Sequence, residues 1–278
     1  MKRIIFTALL VSGLTGAIAQ QAQAQQDTTL KSQQDTTEKR KYKFSVQFGS
    51  DERNSSRRST RDTIRHQDQT KGRFMGGLTF TRIDLGLSKL IDDGSFSLSP
   101  TNDFLDYKAS KTSTVSFDVL QFGYRFNQNF KIYLAGGFDW TLIRLKKDIT
   151  LLNEPQELSY LQEDIHFDKN RFSSSYVHIP LNFELRSKEN DNGKRFYFVF
   201  GPEIGFLLNG KIKQISDERG KQKVKDDYHF QPFRYGGAVR LGYGSLGVFA
   251  KYYMNDMFDS LAQKDLRNMS FGVTLGLN

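Results

Sequence analysis

From Leu78 onward, two kinds of connector alternate between stretches of period-two hydrophobicity. Long polar segments run from Ser88 to Lys111, Lys146 to Asn170, Asn209 to Phe230 and Asn255 to Asp265. The short ones are Asn127 to Asn129, Ser187 to Lys194, and Gly244 with Ser245. Period two marks strands with one apolar face. A soluble sandwich also alternates, but it does not require loop length to be one-sided. An even number of hairpins, joined alternately by large loops and tight turns, predicts an all-β, antiparallel, up-and-down transmembrane β-barrel. Its short turns are periplasmic and its long loops extracellular.

Eight strands can be counted. The first runs from Met75 to Leu87 and the second from Thr114 to Phe126, where apolar parity switches between Phe117 and Leu120, so a bulge is expected near Val119. The third, Phe130 to Leu145, is the most regular: Phe130, Ile132, Leu134, Phe138, Trp140 and Leu142 all fall on even positions. Five more follow around Val177–Leu185, Phe196–Leu208, Phe233–Leu241, Leu246–Met254 and Met269–Leu277. Aromatic residues gather beside the short turns (Tyr124, Phe126, Phe130, Phe183, Phe196, Tyr243), as at a membrane interface.

The N-terminal part divides differently. Lys2 and Arg3 followed by the apolar run Ile4 to Ile18 read as a signal peptide over residues 1–19. Ala17-Ile18-Ala19 offers one cleavage site and Ala22-Gln23-Ala24 a second. Residues 20–41, rich in Gln and Thr with Gln-Gln-Asp-Thr-Thr occurring twice, are expected to be a disordered linker. Residues 42–73 form a basic segment in which Tyr42, Phe44, Val46 and Phe48 alternate, as a short periplasmic hairpin or a ninth strand. An odd count would put the termini on opposite sides of the membrane, so the hairpin is preferred and the barrel is assigned to 74–278.

Composition removes several classes. The chain has no cysteine, so neither disulfides nor an N-terminal lipid on Cys can hold it. Beyond the signal no apolar run approaches the ~20 residues of a spanning helix. The mean hydropathy of −0.56 does not argue against a membrane, because lipid-facing and lumen-facing residues cancel in a barrel. A formal charge of +9 becomes +7 once Lys2 and Arg3 are removed, which favours acidic partners. Nucleic acid is not among them, since the chain is exported and carries no nucleic-acid-binding motif. Outer-membrane lipid and anionic lipopolysaccharide are the expected partners.

If even positions of the third strand face lipid, its odd positions face inward, and the same parity applied around the wall gives a polar interior. The inward set places Asp84, Asp139, Glu184 and Glu203 among Arg82, Arg125, Arg234, Arg240 and Lys251, with His178 beside them. Eight strands enclose a space just filled by side chains, so this lumen charge network is read as a salt-bridged plug. No cofactor is expected, and no metal or catalytic residue is assigned. Asp164, His166 and Asp168 alternate as a metal or proteolytic site requires, but such spacing is common by chance in a solvated loop. Ser174 and His178 both point inward, away from any lipid substrate. No enzyme signature includes His66 or His229.

Several strand motifs carry a resemblance. Gly77-Leu78 through Ile83-Asp84-Leu85-Gly86-Leu87, Val119-Leu120-Gln121-Phe122-Gly123-Tyr124, His178-Ile179-Pro180-Leu181 and Gly201-Pro202-Glu203-Ile204-Gly205 resemble the small porin-like outer-membrane β-barrel family of Bacteroides-type bacteria (Bacteroidota). The similarity extends from about Tyr42 to Asn278. It implies an eight-stranded barrel built like small adhesion-type outer-membrane proteins, with a basic segment before the first strand. It carries over no functional residue.

Ser270, Gly272, Leu275 and Leu277 fit the polar-x-Gly-x-x-hydrophobic-x-hydrophobic signal read by barrel-assembly machinery, although Asn278 replaces the usual terminal aromatic residue. The expected function is a non-enzymatic structural or surface partner-binding barrel with a plugged lumen. The alternative is a narrow porin-like channel or an accessory of a secretion machine that meets a periplasmic partner.

Overall fold

The structure is a computed structural model and describes residues 72–153 and 157–276. The expected signal peptide and linker lie outside these residues, as do Leu277, Asn278 and all but the last two positions of the basic segment. Eleven strands are present among the described residues: β1 (Arg73–Asp92), β2 (Ser113–Arg125), β3 (Phe130–Arg144), β4 (Ile149–Asn153), β5 (Leu158–Gln162), β6 (Lys169–Arg186), β7 (Phe196–Ser216), β8 (Gly220–Asp226), β9 (Phe233–Tyr243), β10 (Leu246–Tyr253) and β11 (Leu266–Gly276).

Eight of them pair in a closed antiparallel ring, in the order β1-β2-β3-β6-β7-β9-β10-β11 and back to β1. Closure leaves the ring no free edge, which is the condition for strands to cross a hydrocarbon layer. β8 adds only to the far end of β7, while β4 and β5 form a separate hairpin.

Side-chain alternation sets which groups face where. On β3 the odd residues Lys131, Tyr133, Ala135, Asp139, Thr141 and Ile143 are all buried. On the other face Leu134 is 46% exposed; around the wall Phe122 reaches 50%, Leu241 55% and Val248 57%. The ring is therefore apolar outside and polar inside, the reverse of a soluble protein. Val119 has no partner between Asp118↔Gly137 and Leu120↔Gly136, so this bulge moves Asp118 to the interior while Leu120 faces out. A second slip leaves Leu208 extra on β7 opposite Ser175 and Tyr176.

The short connectors are tight turns. Asn127 Oδ1 accepts hydrogen bonds from the backbone N–H groups of Asn129 and Phe130, both at 2.8 Å, and Gly244 turns at φ +61°.

The long connectors depart from the expectation of polar loops. β1 continues to Asp92, β7 runs on to Ser216 and folds back as β8, and β4–β5 occupies the second connector. Between them these segments bury a hydrophobic core that includes Leu90, Leu105, Ile143, Ile149, Phe172, Ile212, Phe230, Phe258 and Leu266. Phe172 lies in its centre, with ring centroids 4.7 Å from Phe230 and 6.0 Å from Phe258. The apolar residues of these connectors follow no fixed period, which is why their sequence reads as polar loop.

Candidate functional site

The inward residues of β6, taken from the short-turn end, are Glu184, Asn182, Pro180, His178, Tyr176, Ser174 and Phe172. They describe the interior in cross-section: ionic for the first half, then hydroxyl and amide groups, then the apolar cap. Three ionic clusters occupy the first part.

Nearest the short turns, Glu184 takes Lys131 Nζ at 3.0 Å and Arg82 at 4.0 Å, and Arg186 also donates to it. Arg82 donates to the Tyr133 hydroxyl at 3.1 Å. Higher up, Arg240 donates to Asp84 Oδ2 from Nε at 3.1 Å and Nη2 at 2.8 Å.

The third cluster is the most connected. Lys251 Nζ lies 3.3 Å from Asp139, 3.4 Å from Glu203 and 2.9 Å from the Ser116 hydroxyl. The Tyr253 hydroxyl touches the same two carboxylates, both at 2.9 Å. Its single proton satisfies one of them at a time. Arg234 pairs with Asp139 at 3.1 Å, and its guanidinium carbon lies 3.7 Å from the Tyr176 ring and 4.1 Å from the Tyr253 ring. That cation–π sandwich suits a planar cation in a desolvated space. His178 presents Nδ1 to Glu203 at 3.2 Å and Nε2 to Asp118 at 3.1 Å. A neutral imidazole has one N–H, so making both contacts as hydrogen bonds requires the imidazolium.

The structure thus brings together nine of the ten interior residues named from the sequence. The tenth, Arg125, is half-buried near the short turns and forms no ion pair among the described residues. Asp118, Lys131, Tyr133, Tyr176 and Tyr253 join them in the interior. Asp118 shares its parity with lipid-facing Leu120 and is turned inward only by the bulge. Lys131 has the inward parity of β3, so the signal for it was present. With Asp118 and Lys131 included, the carboxylates Asp84, Asp118, Asp139, Glu184 and Glu203 face the bases Arg82, Lys131, Arg234, Arg240 and Lys251, with the His178 imidazolium as a sixth cation.

Asp139, His178 and Glu203 place one ligand atom each within 4.8 Å of one another, close enough for an ion. Lys251 and Tyr253 fill the space between the two carboxylates, and the ammonium supplies the positive charge that an ion would bring. His166 places Nδ1 2.9 Å from Asp148, with which it forms its ion pair. Ser174 makes no contact with the His178 ring, whose partners are Asp118, Glu203 and the Phe117 carbonyl. Ser174 instead lines a gap of about 20 Å³ with Tyr176, Gln231 and Arg234, room for one water.

An apolar outer wall around an interior of paired charges defines a membrane-embedded β-protein. Residues 76–259 match the family model described as outer membrane protein beta-barrel domain, and the chain belongs to that family. It is a bacterial outer-membrane protein. Comparison with curated proteins gives no match. Among solved structures, the chain is similar to Ail, the attachment invasion locus protein of Yersinia pestis, in a crystal structure in complex with the heparin analogue sucrose octasulfate. The identity is 16%, the match covers 74% of this chain and 97% of that one, and the TM-score is 0.32.

Proposed function

We propose that this chain is a non-enzymatic, eight-stranded up-and-down barrel whose lumen is plugged and whose long-connector end forms a structured head for an external partner. The observation that carries this reading is the interior itself, in which paired charges meet an apolar cap. A diffusing solute would have to separate buried ion pairs, each costly to break, and then cross the packed aromatic rings around Phe172. The short turns are placed in the periplasm and the head outside the cell. The partners are outer-membrane lipid, anionic surface glycan and, during biogenesis, the barrel-assembly machinery reading Ser270, Gly272 and Leu275.

Two measurements test this. In planar bilayers the purified chain is expected to give no steady conductance, and uniform channels of defined size would overturn the plug. Because the chain has no cysteine, single replacements report topology directly. Glu218→Cys, in the β7–β8 turn, is expected to react with a membrane-impermeant maleimide on intact cells, and Asp191→Cys only after permeabilisation. The opposite pattern would invert the orientation.

A further inference from the structure

At the long-connector end, four strands place like charges directly opposite one another. Arg144 on β3 pairs with Arg171 on β6, Arg171 with Lys213 on β7, and Lys213 with Lys223 on β8. The next rung sets Lys211 opposite Lys225. The alternate residues Ile143, Phe172 and Ile212 are buried in the cap, so these bases are held on the outer face of the wall. With strands about 4.8 Å apart, the four-cation row spans roughly 14 Å.

Such a row is self-repelling. Among the described residues none of Arg171, Lys211, Lys213, Lys223 and Lys225 joins an ion pair, and Arg171 Nε is buried without a hydrogen-bond partner. Arg144 donates to the Asp168 backbone carbonyl. Repulsion from Lys221 and Lys211 pulls the Lys223 ammonium below the ordinary lysine range. On the opposite side of the ring, Arg267 of β11 is paired with Asp256 and Asp265. The run of unpaired bases set directly opposite one another across four strands belongs to one sector.

Position decides the kind of partner. Toward the short turns the same face carries Leu142 and Trp140 on β3 and the exposed Leu208 and Phe206 on β7, 52% and 47% accessible. The basic row begins where the apolar band ends and points sideways from the wall, toward the headgroup layer rather than the bulk solvent. We infer that the Arg144–Arg171–Lys213–Lys223 face docks the phosphate groups of a phosphorylated glycolipid in the outer leaflet. This rests on the proposed orientation of the barrel. The row is long enough to engage two phosphates of one headgroup, and bound phosphate would relieve the repulsion that folding leaves in place.

The test titrates the detergent-solubilised full chain with bisphosphorylated lipid A, fully dephosphorylated lipid A and soluble inositol hexakisphosphate, counting bound molecules by native mass spectrometry. Bisphosphorylated lipid A is expected to bind at least about tenfold more tightly than the dephosphorylated form. The variant R171Q/K213Q/K223Q should lose most of that preference, at about tenfold per base or less. K89Q/K188Q/K264Q, with three bases off this face, should keep it. Retained heat-dependent electrophoretic mobility would show that each variant is folded. Equal binding of the two lipids, or an unchanged triple variant, would overturn the site. Equally tight, equally residue-dependent binding of the soluble polyanion would overturn the glycolipid as its occupant. Since no oriented membrane is involved, the topology proposed above can fail in the labelling experiment without altering this result.

Discussion

Arg240 and Asp84, 156 residues apart in sequence, meet inside the ring with both Nε and Nη2 of the guanidinium on one carboxylate oxygen. Their strands, β9 and β1, are not neighbours in the ring, so the pair reaches across the lumen rather than along the wall. Removing either partner strands a buried charge. Asp84→Leu is expected to cost about 3–5 kcal/mol, and the double variant D84L/R240M to recover most of it, because matched apolar groups leave nothing unpaired. Urea unfolding from lipid vesicles, followed by fluorescence of Trp140, the single tryptophan, measures both.

Two adjacent glycines should respond oppositely to the same change. A Cβ at Gly137 would lie 1.9 Å from the Phe117 carbonyl oxygen and 2.6 Å from His178 Nε2, whereas at Gly136 nothing is nearer than Leu120 Cβ at 3.7 Å. Gly137→Ala is expected to destabilise by about 1–3 kcal/mol or more. Gly136→Ala should be neutral or stabilising by about 0.5 kcal/mol. Matching effects from the two substitutions in the same unfolding assay would refute this placement.

The cap should be separable from the wall. Phe172 is fully buried among Tyr228, Phe230 and Phe258, and Phe172→Ala is expected to cost about 3–5 kcal/mol. Most of that loss should appear as protease sensitivity of the long connectors, with the heat-dependent mobility of the barrel retained, because the ionic clusters lie on the other side of the hydroxyl layer. Simultaneous loss of both would mean that cap and wall fold as one unit.

The His166–Asp148 contact gives a pH dependence outside the membrane. The hydrogen bond to Asp148, aided by its charge, raises the His166 pKa, so its contribution is complete below the ordinary histidine value and lost as pH rises through the raised one. Burial pushes Asp148 up, but the Phe167 N–H and His166 hold it below the usual carboxylate range. Its contribution is complete above the ordinary aspartate value and fades as pH falls through the lowered one. The clasp should therefore be firmest between roughly pH 4 and 6.5. The Phe167 amide, which donates to Asp148 at 2.9 Å, should show maximal hydrogen-exchange protection there after correction for intrinsic rates, and a flat profile in Asp148→Asn.

Leu275 faces outward, opposite Ile83 and Leu246 beside a short turn. A lysine there costs only about 0–1 kcal/mol if the site lies at the membrane interface. If Leu275 also serves as an assembly determinant, Leu275→Lys should lower outer-membrane yield several-fold while leaving refolding into vesicles nearly unchanged. Equal yield in cells would remove that role.

Period-two hydrophobicity and connector length were enough to give the ring of strands and the parity that places Asp139, His178, Glu184 and Arg240 inside, because a strand's two faces follow from local geometry alone. Even the Val119 bulge shows in the sequence as a change of parity. What parity cannot report is which inward groups meet, since that depends on strand stagger and on contacts across the lumen: Lys251 between Asp139 and Glu203, or Arg234 between two tyrosines. The cap was hidden for a related reason. Phe172, Phe230 and Phe258 come from separate segments with no common period, and only their convergence in three dimensions turns polar-looking connectors into a core. The basic face above the apolar band is likewise a matter of register, for Arg144, Arg171, Lys213 and Lys223 become neighbours only once four strands have paired.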